Sequence, residues 1–154
     1  MSDDIYVHGH HESVLRSHTW RTVENSAKYL EQYLEDNSIL LDIGCGPGTI
    51  TIDFAKRIRK GTVLGIDISD EIINKARIAS EEFDFDNCSF DTGDTYHLDF
   101  ADNTFDIVHA HQLLQHLTDP VAAIKEMRRV VRPGGILALR DADYGGMIWA
   151  PTDP

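Results

Sequence analysis

Asp42-Ile43-Gly44-Cys45-Gly46-Pro47-Gly48-Thr49 is the stretch that decides the fold. A short apolar run, Ser38 to Ile43, leads into it, and Thr49 to Ile58 leads out with Ile50, Phe54, Ala55 and Ile58 on one helical face. Apolar run, glycine-rich turn and amphipathic segment read together as buried strand, tight turn and helix. Glycines there let the chain reverse sharply and let a ligand lie against bare backbone. The helix that follows offers free N–H groups at its start. Tight packing of helix on strand would also select glycine, so the turn alone does not separate a binding loop from a packing device.

Outward from this unit the pattern repeats. Gly61 breaks the chain and Thr62 to Ile66 makes a second strand; Ser69 caps the next helix, with Asp70 and Glu71 in its first turn and Ile72, Ile73, Ala76 and Ala79 on its buried face. Cys88 to Asp91 and Phe105 to His109 give a third and a fourth strand. Asp119-Pro120 starts a helix carrying Val121, Ile124, Met127 and Val131, which Arg132-Pro133-Gly134-Gly135 stops before a fifth strand, Ile136 to Leu139. Upstream, Trp20, Val23, Ala27, Leu30 and Leu34 mark one face of a helix from Ser17 or Thr19 to near Asn37. Regular alternation predicts an α/β, Rossmann-like, doubly wound and mainly parallel sheet of about five strands, with helices on both faces. The expected division is an N-terminal arm and lid-like helix, 1–37, and a sheet domain, 38–154. Ligands of such sheets bind beyond the carboxyl ends of the strands, where strand order reverses.

The bulk numbers narrow the function. A chain of 154 residues with 42% hydrophobic and 26% charged residues is one ordinary soluble domain. It has no apolar run near the roughly 18 residues of a membrane span, and its first residues lack the pattern of a signal peptide, so a cytoplasmic protein is expected. Cys45 and Cys88 form neither a disulfide framework nor a Cys-x-x-Cys pair. A formal net charge of −12 counts against a nucleic-acid partner.

The strand ends carry the chemistry. Asp67 follows the second strand about 20 residues beyond the glycine loop, where this architecture places an acid for ribose hydroxyls; the plainer alternative is that it only ends a strand. Thr49 stands where a dinucleotide loop would have its third glycine, which speaks against a nicotinamide-dependent dehydrogenase. With Gly65-Ile66-Asp67-Ile68-Ser69, Gly93-Asp94-Thr95, Phe105 to Pro120 and Arg132 to Leu139, the loop resembles the five motifs of class I S-adenosylmethionine-dependent methyltransferases, the small-molecule ubiquinone/menaquinone-biosynthesis-like group above all. The resemblance covers about residues 38–141.

It implies S-adenosyl-L-methionine as cofactor, S-adenosyl-L-homocysteine as product and a small-molecule methyl acceptor. Gly44 and Gly46 would let the methionine part pass, with Asp42 supporting its ammonium side. Asp67 would hold the ribose, Ile68 would pack on the adenine, and Asp94 with the Thr95 N–H would bind the adenine edge. His111 would lie near the reacting sulfonium. Direct displacement needs alignment more than a catalytic group; His111 and His116 are candidate bases, with cofactor lining and packing as the plainer alternatives. Cys45 is read as packing. His8, His10, His11 and His18 lack the partners that would complete a metal set, so no metal site is expected, and Tyr6 with the Trp20 helix is expected to form a lid.

One departure stands out. The family's sheet has seven strands, and this chain stops after the fifth, at Trp149 to Pro154. A truncated chain is expected, with the fifth strand as an unpaired edge open to self-association. The competing function is a cofactor-binding module without turnover of its own. A nucleic-acid methyltransferase is disfavoured by His109-Ala110-His111-Gln112, where base-modifying enzymes place an Asn/Asp-Pro-Pro-aromatic turn.

Overall fold

Five parallel strands, β1 (Ile39–Ile43), β2 (Thr62–Asp67), β3 (Cys88–Thr92), β4 (Phe105–His111) and β5 (Val131–Arg140), form one sheet in the order β3-β2-β1-β4-β5. The computed structural model describes residues 20–146. Between the strands run α2 (Thr49–Arg57), α3 (Asp70–Ser80) and α4 (Pro120–Val130), preceded by a π turn (Val23–Ala27) and the short α1 (Lys28–Glu31). Single 3₁₀ turns follow β4 (Leu114–His116) and β5 (Tyr144–Gly146). This is the doubly wound α/β architecture that the alternation predicts. Its strand order reverses between β1 and β4.

Two-residue alternation along the strands sorts the core into two layers. Leu40 pairs in register with Val63 and Ile107, and all three pack with Leu30 and with Phe54 of α2. Leu41, Ile43, Val108 and Ala110 point the other way, into a cluster with Ala123, Met127 and Val130 of α4. Ile52, Ile73, Ala76 and Phe90 join α2, α3 and β3 in a third cluster.

The helix caps form as the sequence predicts. The Ser69 hydroxyl accepts from Ile72 N–H, and the Asp119 carboxylate accepts from Ala122 N–H at 2.9 Å. Three boundaries differ. The N-terminal helix begins at Val23, because Thr22 has extended backbone and closes a capping box with Asn25, so Trp20 lies before the helix and is 65% exposed. It ends at Glu31 in tight turns (Tyr33 N–H to Leu30 O, Leu34 N–H to Glu31 O) rather than near Asn37. In α4 the buried stripe is Ala123, Met127 and Val130, at steps of four and three, while Val121 is 59% exposed and Val131 opens β5. Arg132 to Gly135 is not a linker: Phe105 pairs with Val131 and Ile107 with Ile136, so these residues bulge within the ladder, with Gly134 left-handed at φ 79°. The arm residues His8, His10, His11, His18 and Tyr6, and the terminal Trp149 to Pro154, lie outside the described residues.

Candidate functional site

The glycine loop leaves β1 with three left-handed glycines, Gly44, Gly46 and Gly48, at φ 67°, 56° and 81°. Only glycine adopts such angles without strain. Their surroundings differ. A Cβ on Gly48 would meet the Phe90 ring at 2.7 Å and one on Gly44 would meet Leu113 at 2.9 Å, whereas nothing lies within 4 Å of that position on Gly46. Gly48 therefore serves packing, and Gly46 presents bare backbone to open space.

Asp67, at the end of β2, ties this loop to the next. Its Oδ2 accepts from Gly46 N–H and its Oδ1 from Ser69 N–H, each at 3.1 Å, which fixes the orientation of the carboxylate. The neighbouring Ile68 is 70% exposed, an apolar platform beside an acid. Gly93 N–H donates to Asp67 O at 3.0 Å and so draws in the turn after β3. In that turn Asp94 Oδ1 accepts from Tyr96 N–H at 2.8 Å, His97 lies 3.5 Å from Oδ2, and the buried Thr95 hydroxyl has no partner. A cavity of about 310 Å³ opens beside Asp94, lined by Ile66, Thr92, Gly93, His97 and Leu98 among others, and its lining includes neither the glycine loop nor Asp67.

Asp42 lies deeper than its expected place beside a ligand. It is 2% exposed, its Oδ1 accepts from Nδ1 of the fully buried His109 at 2.7 Å, and its Oδ2 accepts from the Thr51 hydroxyl at 2.5 Å. The parallel register explains this, since Asp42 sits directly opposite His109 on the face that α2 covers. Phe54 of α2 closes over the imidazole edge at 5.1 Å between centroids.

His111, two residues on and on the same face, stacks on His109 at 6.4 Å with rings 6° from parallel. Burial, then the nearby Arg21, His109 and Arg140, lowers its pKa to about 4, so the ring is neutral near pH 7. Gln112 turns left-handed (φ 57°) and donates from N–H to Arg140 O at 2.7 Å. Gln115, in the 3₁₀ turn, donates from N–H to Asp141 Oδ1 at 3.3 Å and from Nε2 to Gln112 Oε1 at 3.0 Å; His116 Nε2 lies 3.1 Å from the same amide nitrogen. His111 Nδ1, Gln115 Oε1 and Asp141 Oδ2 are buried without partners. The Arg140 guanidinium, at the end of β5, donates to Ser26 O at 2.7 Å and to Asn25 O, holding the N-terminal segment at this edge of the sheet.

The predicted residues thus fall into two groups. Gly46, Asp67, Ile68, Asp94 and Thr95 gather along the ends of β1, β2 and β3, whereas Asp42 joins His111 through His109 on the β4 side. Cys45 packs as expected: burial pushes its thiol well above the ordinary range, and Sγ donates to Gly46 O at 3.6 Å. Sequence reasoning assigned no role to His109, Thr51, Gln115 or Asp141. For His109 a signal existed, because two-residue spacing places it on the face of His111. For Asp141 there was none.

Comparisons with known proteins bear on this arrangement. A family model described as a methyltransferase domain matches residues 34–149. An uncharacterized methyltransferase of Schizosaccharomyces pombe is 43% identical over 144 residues, covering 90% of this chain and 52% of that protein. A ubiquinone/menaquinone biosynthesis C-methyltransferase of Bdellovibrio bacteriovorus is 36% identical over 118 residues, 77% of this chain and 48% of its own. The crystal structure of a SAM-dependent methyltransferase from Aquifex aeolicus superposes with a TM-score of 0.73 at 25% identity, covering 84% of this chain and 71% of that one. The chain spans about half the length of these two curated relatives.

Proposed function

The chain belongs to the methyltransferase domain family, and on that premise we propose that its carboxyl-edge cleft binds S-adenosylmethionine and serves methyl transfer to a small-molecule acceptor. The observation that carries this is the Asp67 carboxylate, oriented by Gly46 N–H and Ser69 N–H beside open backbone at Gly46 and the exposed Ile68. A carboxylate held in a fixed orientation suits a ribose diol, an exposed isoleucine suits the face of a purine, and a left-handed glycine with open space beside it suits close passage of a ligand chain. The residues present fit the cofactor.

When bound, S-adenosylmethionine supplies a methyl group activated on a positively charged sulfur. Asp67 would hold its ribose, Ile68 its adenine face, Asp94 and the Thr95 N–H its adenine edge, and Gly44 and Gly46 its methionine part. Asp42 would act on the ammonium side from beneath the loop, because both of its oxygens already accept hydrogen bonds inside the fold. On the acceptor side the unpartnered atoms of His111, Gln115 and Asp141 favour a molecule bearing an O–H or N–H group. With a pKa near 4, His111 is a hydrogen-bond acceptor and a weak base, which favours an orienting role over proton removal. His116, in the 3₁₀ turn, is placed to support Gln115. Holding both partners in line is the main service such a protein performs, with up to about 7–11 kcal/mol available from alignment.

A cofactor-holding module without turnover is the second reading, favoured because the matched region is about half of the relatives' length. We also place a self-association surface at β5, the edge strand among the described residues; light scattering at rising concentration checks it. No helix among the described residues is long and apolar enough to cross a membrane. Calorimetric titration with S-adenosylhomocysteine tests the central claim: micromolar binding is expected, weakened at least tenfold by Asp67→Ala, since charged hydrogen bonds contribute about 1.5–3 kcal/mol each. A folded chain that does not bind it would sink the proposal. Methyl release by a longer protein containing this region, but not by this chain, would favour the second reading.

A further inference from the structure

Asp42 and Thr51 bracket the glycine loop. The first precedes Gly44 by two residues at the end of β1, the second follows Gly48 by three in the first turn of α2, and the Thr51 hydroxyl donates directly to Asp42 Oδ2 at 2.5 Å. The bond therefore closes the base of the loop from both sides. Both residues are buried, Thr51 completely and Asp42 to 2% exposure. From across the strand-order reversal, His109 Nδ1 holds the second carboxylate oxygen at 2.7 Å, so the closure is anchored to β4. His109 in turn is fixed by Phe54 at its edge and His111 at its face.

Between the brackets lie three left-handed glycines in five residues, one of them, Gly46, in open space. Glycine-rich segments have many accessible conformations. A ligand that needs one of them has its affinity divided by the fraction of time that conformation is occupied. The backbone bonds from Cys45 N–H to Ile66 O (3.0 Å) and from Gly46 N–H to Asp67 fix its β2 side, and Gly48 N–H to Cys45 O (3.1 Å) closes its inner turn, which leaves the spacing of the two ends of the loop to Asp42 and Thr51.

We propose that Asp42, Thr51 and His109 form a polar clasp that sets the aperture of the glycine loop, making Thr51 and His109 positioning residues for the cofactor. The clasp acts through the loop: the Thr51 hydroxyl and the His109 ring need not touch the ligand. The proposal rests on the cofactor reading above.

Thr51→Val removes the hydroxyl while keeping the branched shape, and Thr51→Ser restores the hydroxyl without the methyl. S-adenosylhomocysteine binding to this chain should weaken at least fivefold in Thr51→Val and return to within twofold of wild type in Thr51→Ser, all measured well below the melting temperature of each variant. Fivefold corresponds to a competent fraction cut to about one fifth. Unchanged affinity in Thr51→Val with a lowered melting temperature would make the network structural only and overturn the proposal, as would failure of Thr51→Ser to restore binding. Should wild type not bind S-adenosylhomocysteine, the cofactor reading fails, and hydrogen exchange at the Gly44, Cys45, Gly46 and Gly48 amides decides the clasp instead. Faster exchange in Thr51→Val than in wild type supports it; equal rates refute it.

Discussion

On the β1–β2 side of the cleft, the polar groups are backbone amides meeting a single side chain: Gly46 and Ser69 both donate to Asp67. On the β4–β5 side, buried side chains take their bonds across long stretches of sequence. The Asp42 and His109 side chains meet from 67 residues apart, the Gln115 N–H reaches the Asp141 carboxylate across 26, and four buried polar atoms, His109 Nε2, His111 Nδ1, Gln115 Oε1 and Asp141 Oδ2, are left over. The first side is a cradle of backbone donors around one carboxylate. The second is a buried network whose members depend on one another, where loss of one partner strands the rest. On the function proposed above, the β1–β2 side would take the cofactor and the β4–β5 side would discriminate among acceptors.

The contrast predicts where the fold is most easily damaged. Asp42→Ala strands the His109 N–H and the Thr51 hydroxyl in the interior, and each buried donor left without a partner costs roughly 1–3 kcal/mol. Asp94→Ala, at a turn whose carboxylate is partly exposed, should cost less than about 1 kcal/mol. Urea denaturation of both variants at neutral pH checks the pair. Equal losses would break the distinction between cradle and network.

The same distinction explains what the sequence revealed. Ser69 and Asp119 cap their helices through bonds to residues three positions on, and Asp67 follows the loop by a spacing the architecture sets, so both were readable from local pattern. The sheet class followed from alternation alone. The clasp was not readable, because Asp42 opposite His109 is a consequence of strand register, which the chain does not display until β1 and β4 are side by side. Val121 and Trp20 were misplaced for a related reason. Val121 lies two positions before the stripe that packing selects, and Trp20 keeps the helical spacing but lies before the Thr22 cap, and spacing alone shows neither which stripe packs nor where the helix starts.

Two glycines sharpen the comparison within the cradle itself. Gly48→Ala adds a left-handed penalty of about 1–2 kcal/mol to a clash with the Phe90 ring and the Ala76 methyl, with overpacking worth about 1–3 kcal/mol more. Gly46→Ala carries the backbone penalty alone, since its added methyl meets nothing. Thermal unfolding should therefore rank Gly48→Ala as the more damaging, while S-adenosylhomocysteine titration should rank Gly46→Ala as losing at least tenfold in affinity if that open backbone is where the ligand passes. A Gly46→Ala variant that binds like wild type would move the ligand off the loop.

The smallest effect is a pH dependence confined to the β4–β5 side. His111 binds its proton at about pH 4 in the folded chain against 6.5 for the free side chain, chiefly because burial disfavours the charged ring. Between those values the unfolded chain holds more protons than the folded one, so stability falls as the pH drops below about 6.5 and stops falling, on this account, below about 4. The ring is only half-buried, so the expected loss between pH 7 and pH 5 is about 1 kcal/mol after discounting for solvent screening. His111→Gln removes the titration while keeping an amide on the strand end, so the gap between wild type and variant in urea midpoints should shift in favour of the variant on going from pH 7 to pH 5. A gap that stays constant would mean that the imidazole is as free to charge in the fold as out of it, and the dry, interdependent character assigned to this side of the cleft would not extend as far as His111.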